Sequence, residues 1–416
     1  MSKEKLIPEF RFPEFKDSGE WDVKTLGEVL IKNSKKNKNQ KYSQVESVSN
    51  KFGFIKQDEY FKNRRVASKD TSNYYVIKKG YFAYNPSRID VGSLAYKHND
   101  EISIISPLYV SFKANNELIN DYFLLSFFNS VTFTKQMIFE GGVRNTLNYD
   151  NLIQSKIPIP TIQEQQKIAS CLSSLDELIA AHSDKLDALK DHKKGLMQNL
   201  FPQEGETVPK VRFPEFEEDG EWELKPFSKF IKLYRGSSPR PIREYLTKEE
   251  TGVNWIKIGD TSSITDFVIR SVSEKITPKG AEKSRRVKKG ELILANSMSY
   301  GSTYLLEVEG CIYDGWFVLR EYEEHFDKQF LLQLLNSEYT QGQYKRFAAG
   351  GIVQNISSEI VYSITLSKTS KEEQQKIASC LSAVDELIIA QQEKIDELQQ
   401  HKKGLMQGLF PKTITN

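Results

Sequence analysis

The stretch "QQKIASCLSSLDELI" (Gln165 to Ile179) occurs a second time as "QQKIASCLSAVDELI" (Gln374 to Ile388), 209 residues further along the chain. Thirteen of the fifteen letters agree, so the chain contains an internal repeat. The copies continue as "HKKGLMQNLFP" from His192 and "HKKGLMQGLFP" from His401. A period near 200 residues predicts a duplicated pair of domains and not a solenoid of short repeats.

Each copy carries a heptad pattern. Apolar residues recur at alternating steps of four and three, from Ile168 to Leu200 and again from Ile377 to Leu409. This period of 3.5 residues is typical of a coiled coil, and the prolines that follow predict where each helix ends. The predicted interface residues are Leu172, Leu175, Ile179, Leu186, Leu189, Leu381, Val384, Ile388, Ile395 and Leu398.

The polar residues of the seam favour antiparallel pairing of the two helices. If facing positions have numbers that add up to 584, His182 faces Lys402, Lys193 faces Gln391, and every other seam residue faces an apolar one. A parallel pairing would place Lys193 against Lys402, two like charges. The alternative is that each helix packs only on its own domain.

The regions between the copies predict mixed α/β structure. Basic turns lead into apolar segments after Tyr74 and Arg285, and "DYFLLSFFNS" and "KQFLLQLLNS" have the composition of apolar helices. The predicted fold class is therefore α/β (α+β), with two globular domains separated by two long helices that form an antiparallel coiled coil, in a pseudo-two-fold internal repeat. The predicted divisions are residues 1–160, 161–202, 203–370 and 371–416.

Composition limits the possible functions. The 416 residues carry 58 Lys and Arg against 56 Asp and Glu, and the three cysteines include no Cys-x-x-Cys pair. So few cysteines predict a reducing, cytoplasmic location and no disulfide framework. The five histidines do not cluster with cysteine at metal spacing, and no apolar run approaches the ~20 residues of a membrane span. We expect no metal site and no membrane association.

Motifs for catalysis are absent from the sequence. It contains neither a Gly-x-x-x-x-Gly-Lys-Ser/Thr phosphate loop nor a Gly-x-Gly-x-x-Gly loop, and its carboxylates form no recognisable catalytic set. The sequence therefore predicts no catalytic residue and no cofactor on this chain.

Basic residues are concentrated in the two variable regions. Met1 to Pro160 carries 24 Lys and Arg against 18 Asp and Glu, and Pro226 to Arg320 carries 16 against 11. Lysine neutralises phosphates, whereas Arg, Asn and Gln in loops can pair with base edges. For each residue, a solvated or structural role is the alternative. The candidate DNA-binding residues are Lys35, Lys36, Lys38, Arg64, Arg65, Arg88, Arg144, Asn145, Arg235, Ser237, Arg240, Arg243, Arg285, Arg286, Asn296, Gln354 and Asn355.

Taken together, these features resemble the specificity subunit of Type I restriction-modification enzymes over essentially the full length. The resemblance is carried by the two "EQQKIA" helices, by "IPIPTIQEQQKIASCL" before the first helix, and by two target-recognition regions of the "YNPSRIDVGSLAY" and "YRGSSPRPIREY" types. One departure is that the second helix is preceded by "TLSKTSKEEQQKIA", without the usual prolines.

The resemblance implies a division of labour. Each target-recognition domain would bind one half of a split site in double-stranded DNA. Two modification subunits would supply S-adenosylmethionine and adenine methylation, and two restriction subunits would supply ATP- and Mg-dependent translocation and cleavage. Ile168 to Leu200 spans about 50 Å as a helix, so we expect the coil length to set the spacer between the half-sites.

Three other functions remain open from the sequence. The chain could be a coiled-coil scaffold that binds proteins without DNA sequence preference, a stand-alone DNA enzyme, or a repressor without partners. The repeated leads "RFPEFKDSGEW" (from Arg11) and "RFPEFEEDGEW" (from Arg212) have no assigned role, and we expect them to pack on the recognition domains.

Overall fold

The chain forms two units, and each combines segments that are far apart in sequence. The computed structural model describes residues 6–50, 52–60, 67–89, 92–137, 146–262, 264–348 and 355–411. Unit 1 comprises residues 1–182 and 394–416, and unit 2 comprises residues 183–393. Each unit therefore combines one variable region with half of each long helix.

The first half of the chain alternates short strands and helices before one long helix. Its elements are β1 (Asp22–Thr25), α1 (Leu26–Val29), β2 (Leu30–Lys32), β3 (Glu46–Ser49), β4 (Gly53–Lys56), α2 (Gln57–Tyr60), β5 (Tyr75–Ile77), β6 (Tyr81–Tyr84), β7 (Leu94–Tyr96), β8 (Ser103–Ile105), β9 (Val110–Ala114), α3 (Asp121–Phe128), α4 (Val131–Thr134), α5 (Tyr149–Leu152), β10 (Lys156–Ile159) and α6 (Ile162–Leu200).

The second half has the same beginning and end with more strands between them. Its elements are β11 (Glu223–Pro226), β12 (Lys232–Arg235), β13 (Leu246–Thr247), β14 (Val253–Ile256), β15 (Val268–Ile269), β16 (Glu274–Ile276), α7 (Pro278–Glu282), β17 (Arg285–Val287), β18 (Leu292–Ala295), β19 (Thr303–Leu306), β20 (Gly310–Ile312), β21 (Trp316–Arg320), α8 (Lys328–Asn336), α9 (Glu338–Ala348), α10 (Ser358–Ser363), β22 (Thr365–Lys368) and α11 (Lys371–Leu409).

One sheet has the same strand order in both units. Unit 1 contains the order β2-β9-β6-β7, and unit 2 contains β12-β21-β18-β19 with β15 added at the edge. The second layer differs. Unit 1 has two separate ribbons, β3-β4 and β5-β8, whereas unit 2 has one five-stranded sheet, β13-β16-β14-β20-β17. The predicted mixed α/β class is confirmed, and so are the apolar helices α3 and α8.

The repeated leads fasten each variable region to the start of a long helix. In unit 1, Arg11 donates to both carboxylate oxygens of Glu164 at 2.8 Å. In unit 2, Arg212 makes the same paired bonds to Glu373 at 2.7 and 2.8 Å. Both carboxylates are buried, with at most 1% of the side chain exposed. Two arginine hydrogen bonds thus neutralise each buried charge.

The leads also pack as expected. Phe12 and Phe213 lie partly buried against the cores of their own units. Lysines from the long helices, Lys167 and Lys376, lie 5.5 Å from the centroids of these two rings. The contact between each lead's arginine and the start of a long helix was not predicted from the sequence.

A buried glutamine near the start of each long helix bonds to the N-cap residue of an apolar helix of the same unit, α3 or α8. Gln165 Oε1 accepts from the backbone N–H of Asn120, the N-cap residue of α3, at 2.9 Å. Gln374 Oε1 accepts from the backbone N–H of Asp327, the N-cap of α8, at 2.7 Å. The first two letters of each "EQQKIA" are therefore occupied in joining a long helix to its unit.

The junction without prolines keeps the same geometry. β22 pairs antiparallel with β11 in the register in which β10 pairs with β1. Thr369 stands where the first copy has Pro160, and its hydroxyl donates to Glu373. A side-chain hydrogen bond therefore takes the place of the rigid residue.

The long helices run antiparallel within each unit. In unit 1, Lys402 donates to Asp176 at 2.5 Å, and in unit 2, Lys193 donates to Asp385 at 2.7 and 2.8 Å. The predicted direction is confirmed, and all ten predicted interface residues are buried or half-buried.

The predicted register is wrong. The numbers in each ion pair add up to 578 (176 and 402, 193 and 385), not 584, which is a shift close to one heptad. Lys402 therefore does not face His182, and Lys193 does not face Gln391. Each lysine instead pairs with an aspartate that lies beside the seam.

The ends of the long helices complete the aromatic cores. Phe410, just after α11, packs on Trp21, Phe123 and Phe127 with ring centroids 5.3–6.2 Å apart. Phe201, just after α6, packs on both Trp222 and Phe330. The repeated "LFP" letters thus place one phenylalanine in each unit's core.

Candidate nucleic-acid interface

In unit 2, the turn between β20 and β21 gathers several predicted site residues. The carbonyl oxygen of Asp314 accepts from Arg235 Nε at 3.2 Å and from Asn296 Nδ2 at 3.0 Å. Its carboxylate accepts from Ser238 Oγ at 2.5 Å and lies 3.9 Å from Arg240 Nη2. Loops that are up to 80 residues apart in sequence therefore meet around one aspartate.

Two glycines allow this close approach. A Cβ on Gly236 would lie 1.9 Å from the carbonyl oxygen of Tyr313, and a Cβ on Gly315 would lie 2.2 Å from the Tyr313 ring. Real Cβ atoms do not come so close to backbone, so a larger residue at Gly236 would push the loops apart. This explains why "YRGSSP" needs glycine after Arg235.

The carboxylate of Asp314 stays ionised in this setting. The hydrogen bond from Ser238 lowers the pKa of Asp314 most, and partial burial raises it by less. A backbone hydrogen bond and then the positive charges of Arg240 and Arg235 lower the pKa further. The cluster therefore holds a permanent negative charge between two arginines.

The predicted residues around this turn divide by exposure. Arg240 exposes 84% of its side chain, and Arg235, Arg243, Arg286 and Asn355 are also exposed. By contrast, Asn296 is 2% exposed and its amide is used inside the protein. Its position favours the structural alternative over a base contact.

Two further predicted residues are partly engaged inside unit 2. Ser237 Oγ donates to the Lys283 carbonyl at 3.3 Å, and Arg285 Nε donates to the Arg235 carbonyl at 3.2 Å. Both are half-buried and help to hold the loop "RGSSP" in place. Asn355 joins the same surface, because it forms a β-bridge with Ser297.

In unit 1, the lysine-rich loop is fixed along β5. Asn33 Nδ2 donates to the carbonyl of Val76 at 3.0 Å, and the backbone N–H of Asn37 donates to the carbonyl of Tyr74 at 2.9 Å. Lys36 Nζ lies 3.2 Å from the centroid of the Tyr75 ring, while Lys35 and Lys38 are exposed. The loop is therefore anchored by its buried asparagines, which leaves two lysines available to phosphates.

Arg88 lies in a turn that unit 2 repeats. Leu147 N–H donates to the Pro86 carbonyl at 3.0 Å, next to the exposed Arg88. In unit 2, Ile356 N–H donates to the Asn296 carbonyl at 2.7 Å. Both units thus join the turn after a central strand to the segment before the last short helix. The predicted residues Arg64, Arg65, Arg144, Asn145 and Gln354 lie outside the described residues.

A buried ion pair supports the ribbons of unit 1. Lys97 Nζ donates to Glu46 at 2.6 and 2.8 Å, and Ser103 Oγ donates to the same carboxylate at 2.8 Å. The two charged side chains expose 1% and 3%. This pair joins β3 to the segments after β7 and at β8, so one polar contact links both ribbons to the shared sheet.

Sequence reasoning missed two residues of the unit 2 surface. Asp314 was not predicted, because the predicted DNA-binding residues are cations, amides and one serine. Met298 exposes 79% of its surface at a positive φ of 57°, next to Ser297. Met298 could have been found from the sequence, because it is a large apolar residue inside a polar loop that contains glycine. No sequence signal marked Asp314 as the residue around which the loops meet.

Across the described ranges, no three His, Cys, Asp or Glu side chains lie together as metal ligands would. Burial raises the pKa of the Cys311 thiol to about 11, so this thiol stays protonated and unreactive at neutral pH. Within the same ranges, no helix is both long and apolar enough to cross a bilayer.

The chain is thus a duplicated α/β protein with paired long helices and two loop surfaces that carry exposed cations. The family model for the Type I restriction modification DNA specificity domain matches residues 18–191 and 220–400. The chain therefore belongs to this family, and the predicted resemblance to a specificity subunit is confirmed.

Curated relatives agree with the family. A putative type I restriction enzyme MjaX specificity subunit of Methanocaldococcus jannaschii is 24% identical over 418 residues, covering 94% of this chain and 93% of that protein. The type I restriction enzyme MjaVIII specificity subunit of the same organism is 25% identical over 324 residues, covering 74% and 73%.

Solved structures share the fold. The type I restriction-modification system S subunit from M. genitalium matches with a TM-score of 0.58 at 12% identity, covering 99% of this chain and all of that one. A chain from a structure of complex assembly and conformational transition of the type I R-M system matches with the same TM-score at 16% identity, covering 95% and 98%.

Proposed function

We propose that this chain is the DNA-recognition subunit of a Type I restriction-modification complex and that each unit binds one half of a bipartite target. The observation that carries this proposal is the contrast between framework contacts, which are the same in both units, and loop surfaces, which are not. The paired arginine–glutamate bonds of the lead, the glutamine bond at the helix start and the order of four strands are repeated, whereas the exposed loop residues differ. Two different half-sites need two different loop surfaces on one repeated framework.

The chain itself would be non-catalytic. We infer that two modification subunits dock on it and bring S-adenosylmethionine, and that restriction subunits join through them and bring ATP and Mg. Purified chain with duplex DNA, magnesium and S-adenosylmethionine should transfer no methyl groups, and addition of the modification subunit should start the reaction. Methyl transfer by the chain alone would contradict this assignment.

The decisive experiment is an exchange of one variable region. Residues 226–368 are replaced by the corresponding region of another specificity subunit, the chimera is co-expressed with the modification subunits, and methylated adenines are mapped. We expect one half of the target to change and the other half to stay. If the chain were a scaffold without sequence preference, the methylated adenines would share no target sequence in either the parent or the chimera.

Helix length provides a second test of the bipartite proposal. We predict that seven residues inserted after Ala180 in α6, together with seven after Leu398 in α11, lengthen the unread spacer by about three base pairs, because seven helical residues span about 10 Å and a base pair rises about 3.4 Å. Paired insertions keep the heptad phase, whereas an insertion of four residues after Ala180 alone breaks it. An unchanged spacer in the paired variant would end the proposal that the coil sets the distance.

A further inference from the structure

Asp314 is an acidic group at the meeting point of basic loops. Its side chain is 42% exposed, beside Arg240, which is 84% exposed. On a surface that only had to attract phosphates, a carboxylate here would weaken binding by repulsion. Some other requirement must therefore favour a negative charge at this position.

The backbone around Asp314 is held independently of its carboxylate. The Asp314 carbonyl accepts from Arg235 and Asn296, and the backbone N–H of Gly236 donates to the Trp316 carbonyl at 2.8 Å. These three bonds hold the turn through its backbone atoms and do not use the carboxylate. The carboxylate itself accepts from the half-buried Ser238 and lies 3.9 Å from the exposed Arg240 guanidinium, and both residues belong to the loop that follows β12.

Resting on the function proposed above, the geometry points to Asp314 as a positioning residue that gives unit 2 its base specificity by orienting Arg240. A guanidinium pairs with guanine O6 and N7 only when its planar fork is presented in one orientation. The carboxylate supplies that orientation through charge attraction and through its bond to Ser238 on the same loop. It also repels the phosphates to which a free arginine would otherwise move.

The test compares Asp314→Asn with the parent chain, using the full chain and a library of duplexes with a random central region. The bound fraction is sequenced to obtain a consensus, and affinities are then measured for the consensus duplex and for a scrambled duplex of equal composition. Asparagine still accepts a hydrogen bond from Ser238 and lacks the charge, so this variant isolates the electrostatic part. Glu218→Ala, an exposed carboxylate in the lead of the same unit, is the matched control.

We expect Asp314→Asn to reduce the preference for consensus over scrambled duplex at least tenfold, at the base positions of one half-site. Binding to the scrambled duplex should become tighter and its salt dependence steeper by about 0.9 in the logarithmic slope, because Arg240 gains access to one more phosphate. In an Arg240→Ala background, Asp314→Asn should have no further effect on preference. A purely structural role would instead weaken binding to both duplexes alike.

The outcomes separate this inference from the proposed function. If the parent chain prefers its consensus and Asp314→Asn retains that preference, the inference is wrong and the proposed function stands. Equal loss on both duplexes, or a full effect that persists without Arg240, also overturns the inference. If the parent chain shows no consensus at all, the proposed function fails and the inference fails with it.

Discussion

The two units share a framework and differ in what fills it. Both contain a four-stranded core in the same order, β2-β9-β6-β7 and β12-β21-β18-β19, and both join it to a long helix through an arginine and a glutamate. The second layer is two ribbons held by a buried ion pair in unit 1 and a five-stranded sheet in unit 2. The contacts that join each variable region to a long helix are thus repeated, while the second layer of each unit differs.

The largest expected effect is found in unit 1 alone. Lys97→Met would leave the Glu46 carboxylate buried without its cation, which costs about 3–5 kcal/mol of unfolding free energy. Hydrogen exchange of the full chain should show lost protection in unit 1 and none in unit 2. The double variant Glu46→Leu/Lys97→Met removes both charges and should recover at least half of the loss; an equal or larger loss would show that the pair is not what holds the ribbons.

The shared clamp should respond alike in the two units. Arg11→Ala and Arg212→Ala each leave a buried glutamate with one remaining donor, Trp21 Nε1 for Glu164 and the Thr369 hydroxyl for Glu373. We expect each substitution to lower the free energy of unfolding by about 2–3 kcal/mol, because a hydrogen bond to a charged group is lost and the charge stays buried. Hydrogen exchange should place each loss in its own unit. A loss in only one of them would break the equivalence of the two junctions.

The helix ion pairs are equivalent in position but not in burial. Asp385 exposes 17% of its side chain and also accepts from Gln333, whereas Asp176 exposes 54%. Asp385→Ala should therefore lower the free energy of unfolding by about 1.5–3 kcal/mol, and Asp176→Ala should lower it by less than about 1 kcal/mol. Added salt should weaken only the exposed Asp176 pair. Urea unfolding at low and high salt measures both. Similar costs for the two variants would contradict the burial difference.

The smallest expected effect tests a local exchange between the copies. A Cβ on Gly408 would lie 2.1 Å from the ring of Phe10, whereas the equivalent pair in unit 2 is Asn199 with Val211. Phe10 is 47% exposed and can turn aside, so Gly408→Asn should cost only about 0.5–1 kcal/mol. Phe10→Val in addition should restore parental stability; if it adds to the loss, the two positions are not matched as in unit 2.

Features that depend on neighbours in sequence were predictable. The heptad letters gave both long helices, and the apolar runs gave α3 and α8, because helix periodicity is written into consecutive residues. The antiparallel direction followed from avoiding Lys193 against Lys402. The register did not follow, because Asp176 and Asp385 lie beside the seam and their pairing depends on how far each lysine reaches.

Features that join distant segments could not be predicted from one sequence. Arg11 and Glu164 are 153 residues apart, and Asp314 meets Ser238 across 76 residues. No local pattern states that such residues will touch. For the same reason, Asn296 looked like a base contact in its polar loop, although its amide is buried in the turn of Asp314.

The central claim is that the two loop surfaces recognise separate half-sites, and one measurement tests it most directly. The full chain, Arg88→Ala and Arg240→Ala are each used to select from the same random duplex library, and the bound sequences are compared. The account predicts a consensus of two blocks, with Arg88→Ala relaxing base preference in one block and Arg240→Ala relaxing it in the other. A consensus of a single block, or two variants that relax the same block, would contradict it.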